Sequence, residues 1–139
     1  MLRLFLTLHL LEFSYNIGGK MEDAAIIKPV DWLGDSLKVL RKFPEEVQND
    51  AGHSLYLVQV GLTPKDAKPM TGIASGVFEI VTRFDGETYR TVYAVKIGDK
   101  VYVLHAFQKK SKSGIKTPQH DIDLIVSRLK EAHRRESKK

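Results

Sequence analysis

Three consecutive runs, residues 77–84, 88–97 and 101–109, alternate in polarity with a period of two and are rich in Val, Ile, Tyr and Phe. Asp85-Gly86 and Gly98-Asp99 sit between them. These dipeptides tolerate the positive φ angles that tight hairpin turns demand, so the segment is predicted to be a three-stranded antiparallel meander. Few folds accommodate such a unit. Its apolar face must be covered by helices from either side of it in the chain.

Two-residue turns also set the register, because side chains alternate strictly along a strand. Val81 is expected opposite Arg90, Arg83 opposite Thr88, and Val92 opposite His105. One face then presents Glu79, Val81, Arg83, Arg90, Val92, His105, Phe107 and Lys109. The other presents Phe78, Ile80, Tyr89, Tyr93, Val95, Tyr102, Leu104 and Ala106, and it is read as the core face.

The flanks supply the helices. Residues 25–30 form a short apolar run ending near Pro29, read as a first strand. Asp35 is placed to cap a short helix with Leu33, Leu37 and Leu40 at helical spacing. Pro44, followed by Glu45 and Glu46, starts a second helix whose stripe is Val47, Ala51, Leu55 and Val58, with Gly61 at its end. Residues 61–76 read as a long connection. Thr117-Pro118 opens a last helix with a stripe of Ile122, Ile125, Val126 and Leu129, and residues 131–139 are expected to fray. The class is α+β: one strand, two helices, a three-stranded antiparallel meander and a C-terminal helix.

A chain of 139 residues with 42% hydrophobic side chains fits one domain. A mean hydropathy of -0.23 is that of a globular protein. Residues 21–139 are taken as that domain. Residues 1–20 read as an extension from a mis-assigned start, with Met21 as the natural first residue. The apolar stretch 2–13 is shorter than the roughly 20 residues a membrane helix needs. Arg3 ahead of it resembles a signal peptide, but no small-x-small cleavage site follows. The chain has no cysteine, which removes disulfides, thiolate metal sites and a cysteine nucleophile, and suits a reducing compartment.

The net charge of +5 is unevenly spread. Residues 109–139 hold 10 Lys or Arg against 4 Asp or Glu, whereas residues 1–108 hold 12 against 13. A basic final quarter favours a polyanion or an acidic partner; the bland alternative is a solubilising tail. The strand register separately gathers Arg83, Arg90 and Lys109 on one sheet face. Arg offers phosphate a bidentate fork and Lys a point charge. Metal-free RNA cleavage needs a base for the 2′-hydroxyl, cations for the pentacoordinate phosphoryl group and an acid for the leaving 5′-oxygen. Arg90 and Lys109 are candidates for the charge stabilisation and His105 for proton exchange. Competing readings are a structural role for His105 and pairing of Arg83 with Glu79 or Asp85. Lys110, Lys112 and Lys116 are either a solvated loop or a backbone-tracking patch.

Other chemistries lack their signatures. No Gly-rich loop lies between a strand and a helix. His9, His53, His105, His120 and His133 show no close metal-ligand spacing, and Ser75-Gly76 lacks the flanks of a nucleophile elbow. No metal and no cofactor is expected.

Gly76-Val77-Phe78-Glu79-Ile80, Tyr89-Arg90 with Tyr93, and the run Val101-Tyr102-Val103-Leu104-His105-Ala106-Phe107-Gln108-Lys109-Lys110 resemble the phage-derived HigB-like branch of the RelE/ParE toxin superfamily. Ala67-Lys68-Pro69-Met70 and Asp121-Ile122-Asp123 fit the same branch, and the likeness extends over about residues 27–135. The resemblance implies a RelE-like fold and a cytoplasmic toxin held by an antitoxin, usually a helix-turn-helix protein, in a hetero-oligomer. It further implies cleavage of messenger RNA on the ribosome, with Arg90, Lys109 and Lys110 at the scissile phosphate and Lys68 contributing. Two positions depart from the pattern. Val81 stands where relatives tend to have Arg, with Arg83 on the same face as its substitute, and no tyrosine follows Tyr102. Three functions are set in order: a ribosome-dependent endoribonuclease, a ParE-like gyrase inhibitor, and a non-catalytic relative that binds an antitoxin or RNA.

Overall fold

The computed structural model describes residues 27–109 and 116–138, and the extension at 1–20, Met21, the start of the expected first strand, Lys110 and Lys112 lie outside them. The described chain is α+β. In order it forms β1 (Val30–Trp32), α1 (Ser36–Leu40), α2 (Glu45–Gln59), β2 (Ala67–Pro69), β3 (Val77–Phe84), β4 (Glu87–Ile97), β5 (Lys100–Lys109) and α3 (Gln119–Ser137). The five strands make one mixed sheet in the order β1-β5-β4-β3-β2, with β1 parallel to β5 and every other pair antiparallel.

The meander is present with its predicted turns. Phe84 faces Glu87 and Ile97 faces Lys100, so each hairpin turns on two residues. Asp85 and Gly86 have φ of 52° and 78°, the left-handed pair that matches strand twist. Val81 lies opposite Arg90, Arg83 opposite Thr88 and Val92 opposite His105, as the alternation requires.

Between those rungs the face assignment changes. Val95 and Lys96 together oppose Val101, and Leu104 is an extra residue on β5, so two bulges of opposite sense cancel over the hairpin. Tyr93 therefore pairs with Val103, and Ala94 with Tyr102. Tyr102 and Leu104, expected on the face opposite Val92, instead pack with Val92 and Ala94 against α3. Lys96 takes φ of 71° at the bulge. Gly76 stands beside it at φ of 86°, where an added Cβ would lie 2.9 Å from the Val95 carbonyl oxygen. Gly76→Ala is expected to lose about 1–3 kcal/mol of stability in urea denaturation, from strained φ and a backbone clash together.

Both sheet faces are covered. On one side Val47, Ala51, Leu55 and Val58 of α2 are buried against β3, β4 and β5, as the stripe predicts. Val47, Leu55 and Val58 each stabilise the fold by about 1.5–3 kcal/mol, and the methyl of Ala51 by less. Gly61 at φ of 91° ends α2, with Leu62 N–H donating to the Leu57 carbonyl and Gly61 N–H to that of Val58. On the other side Ile125 and Ala132 of α3 are fully buried, with Ile122 and Leu129 packed beside them.

Several expectations are corrected. The first strand is Val30–Trp32, later than the apolar run at 25–30, because parallel pairing with Val101–Val103 selects it. The connection 61–76 contains an edge strand, β2, too short to show an alternation. Asp35 precedes α1 but makes no capping hydrogen bond, since its carboxylate is bound by Arg128. The C-terminal helix does not fray after residue 131. Tyr102 Oη donates to the Glu136 carboxylate, and Arg135 donates to Asp31 at 3.2 Å.

Candidate functional site

Arg90 occupies the middle of β4, flanked by Val81 on β3 and Phe107 on β5, and is only 7% exposed. A guanidinium in that position needs an acceptor. It finds Glu79, diagonally placed on β3, whose Oε1 accepts from Nη1 at 2.5 Å. Glu79 is equally buried. The Nε of Arg90 is also buried and has no hydrogen-bond partner.

Two further cations complete the cluster. Lys68 lies directly across from Glu79 on β2, at the exposed sheet edge. Lys109 ends β5, 8% exposed, and its side chain makes no hydrogen bond or ion pair with another described residue. Burial pushes its ammonium below the usual lysine value of 10.5; the Arg90 charge adds to this, Glu79 opposes it, and Lys68 lowers it further. Three cations thus surround one carboxylate on one face. Folding depresses this proton affinity, so the unfolded chain binds more protons between the folded value and 10.5, and stability rises with pH across that window. Lys109→Met is accordingly expected to be more stable than the parent at neutral pH, and the difference to shrink as pH approaches 10.5, as read by denaturant midpoints.

Arg83 lies on the same face one rung further on, exposed, without an ion pair to Glu79, Asp85 or any other described residue. Lys116 is exposed just ahead of α3. His105 shares the sheet face but belongs to a different arrangement. Its ring stacks on Phe107 at 5.2 Å, Nε2 contacts Asp121 Oδ1 at 2.7 Å, and Nδ1 contacts Arg128 Nη1 at 3.0 Å. Arginine is only a donor, so Nδ1 accepts and Nε2–H donates to Asp121. Arg128 also donates to the Leu104 carbonyl at 3.0 Å and to Asp35 at 2.8 Å. Burial pushes the Asp35 carboxyl up, but the Arg128 hydrogen bond and charge outweigh it and hold it below the usual value. Both nitrogens of His105 are therefore engaged in docking α3.

Sequence reasoning placed Glu79 on the correct face but did not pair it with Arg90. The usable signal was alternation: residues 79 and 90 are on adjacent rungs of one face, and a buried arginine requires a carboxylate. Arg128 carried no signal, because the apolar stripe of α3 says nothing about which polar neighbour reaches the sheet. Among the described residues no group of three or more His, Cys, Asp or Glu side chains is arranged to hold a metal ion. Nor is any helix among them long and apolar enough to cross a membrane.

Residues 38–130, which span the end of α1 through most of α3 and include the cationic cluster, match the family of phage-derived Gp49-like proteins. The chain belongs to that family. No curated protein matches it. The Gp49-like segment thus contains Lys68, Glu79, Arg83, Arg90 and Lys109, together with the His105–Arg128 network that seats α3 on the sheet.

Proposed function

We propose that this Gp49-like protein is a toxin of the RelE/HigB kind that cleaves messenger RNA on the ribosome without a metal. The observation that supports it best is the cluster of Lys68, Arg90 and Lys109 around a single carboxylate, an excess of positive charge in a low-dielectric position where a phosphate is strongly favoured. In this reading the 2′-oxygen attacks phosphorus as its proton departs, and the bond to the 5′-oxygen breaks as that oxygen takes a proton. A 2′,3′-cyclic phosphate and a 5′-hydroxyl result. Arg90 stabilises the charge on the equatorial oxygens. Lys109, 8% exposed and diagonal to Arg90 on the same face, adds a second positive charge beside the phosphate. Lys110 and Arg83 add charge at the scissile phosphate, Lys112 and Lys116 track the flanking backbone, and His105 holds α3 in place. A cytoplasmic location and control by a helix-turn-helix antitoxin belong to the same proposal.

Induced expression of the chain followed by mapping of messenger 5′ ends tests it. New ends inside translated codons are expected, reduced at least about 100-fold in Arg90→Ala by loss of transition-state charge stabilisation. Growth arrest with intact messenger and damaged DNA would instead mark a gyrase inhibitor. Normal growth would mark a non-catalytic binding protein.

A further inference from the structure

The buried pair at the centre of the cluster is unequally matched. Charge burial alone asks for one carboxylate per cation, with every donor satisfied. Here a second buried cation, Lys109, has no carboxylate of its own, and Arg90 Nε is left without an acceptor. The described cluster is short of one negative charge. Glu79 meanwhile has two cationic neighbours: Arg90, which it binds, and Lys68, directly across the β2–β3 ladder at an exposed edge. Its carboxylate has a second place to go.

We propose that Glu79 is a resident counter-anion, occupying in the free protein the Arg90 fork that an entering phosphate takes over, and turning to Lys68 when it does. Glu79 is thus a positioning residue. It keeps the Arg90 guanidinium aligned while the site is empty and competes with weakly bound anions, so that only a phosphate held by further contacts displaces it. This rests on the phosphate site proposed above and adds its regulation. The ligand chemistry is that of a phosphate oxyanion, whether in an RNA chain or free.

The test uses the full chain, with Glu79→Gln to remove the charge at constant shape and Glu79→Asp to retain the charge at shorter reach. Two probes are titrated: inorganic phosphate, followed by the NMR signals of Arg90 Nε–H and Lys109 Cε, and a short 2′-deoxy oligonucleotide that cannot be cleaved, followed by anisotropy. Glu79→Gln is expected to bind the oligonucleotide about tenfold more tightly, since a charged competitor for a charge-assisted hydrogen bond has gone. Its Lys109 titration is expected to move further down, because the one group that raised it is lost. Glu79→Asp is expected to fall between Glu79→Gln and the parent. A greater gain for the oligonucleotide than for inorganic phosphate identifies the chain phosphate as the natural occupant, and equal gains identify a free phosphate. Unchanged or weaker binding of both probes in a folded Glu79→Gln overturns the proposal. The titrations involve no cleavage. If they behave as expected while messenger stays intact on expression of the parent, the ribonuclease assignment falls and the counter-anion stands.

Discussion

Arg90→Met alone is expected to cost about 3–5 kcal/mol, whereas Glu79→Met combined with Arg90→Met is expected to leave the protein at least as stable as the parent. The single change strands a carboxylate that is 7% exposed and removes its one hydrogen-bonded partner, leaving the Lys68 and Lys109 charges nearby. The double change removes both desolvation costs and puts two unbranched apolar side chains beside Val81, Val92 and Phe107. It also relieves Lys109, since Arg90 lowers its proton affinity more than Glu79 raises it. Urea denaturation of the four corners of the cycle measures the coupling directly. A double variant that loses as much as Arg90→Met would show that the pair contributes stability of its own. A stable double variant without activity would show that the pair is retained for function at the expense of stability.

Arg128→Ala is expected to lose about 2–3 kcal/mol, the most damaging change of a charged residue on α3. The guanidinium donates to the Leu104 carbonyl and to His105 Nδ1, and without it both acceptors lie at a partly buried helix–sheet seam with no donor. Its pair with Asp35 adds little, because that carboxylate is more than half exposed. The acid limb carries a signature. Asp35 has a folded proton affinity below its usual 3.8, so its contribution is present above that value and is lost as pH falls through the folded value. The parent is therefore expected to lose part of its advantage over Arg128→Ala below about pH 3.8, read by denaturant midpoints at several pH values. Folded Arg128→Ala should still bind oligonucleotide, because the cationic cluster is anchored on β2, β4 and β5. Loss of binding in a folded Arg128→Ala would instead tie the His105 network to the site.

Local chemistry made much of this protein legible. A two-residue turn permits one register, so the pairings of Val81, Arg83 and Val92 followed from Asp85-Gly86 and Gly98-Asp99 alone. The stripe of α2 and the positive-φ glycine at its end are likewise properties of short sequence windows. That Arg83, Arg90 and Lys109 share a face required only the period of a strand.

Contacts distant in sequence decided the remainder. Two compensating bulges moved Tyr102 and Leu104 to the α3 face, and a bulge pattern that cancels over a hairpin leaves the flanking alternation unchanged. The edge strand β2, three residues long, exists because β3 offers it a ladder, and through it Lys68 stands across from Glu79. Asp35 reads as a helix cap to its neighbours, but Arg128, 93 residues away, takes its carboxylate. The end of α3 looks polar enough to fray, yet Tyr102, Glu136, Arg135 and Asp31 pin it to the sheet. Sequence alone determined the hairpin turns, the registers beside them and the buried stripe of α2, because backbone sterics and side-chain period act locally. Tertiary structure decided which charges meet, because partners for buried polar groups are chosen by packing that no local window contains.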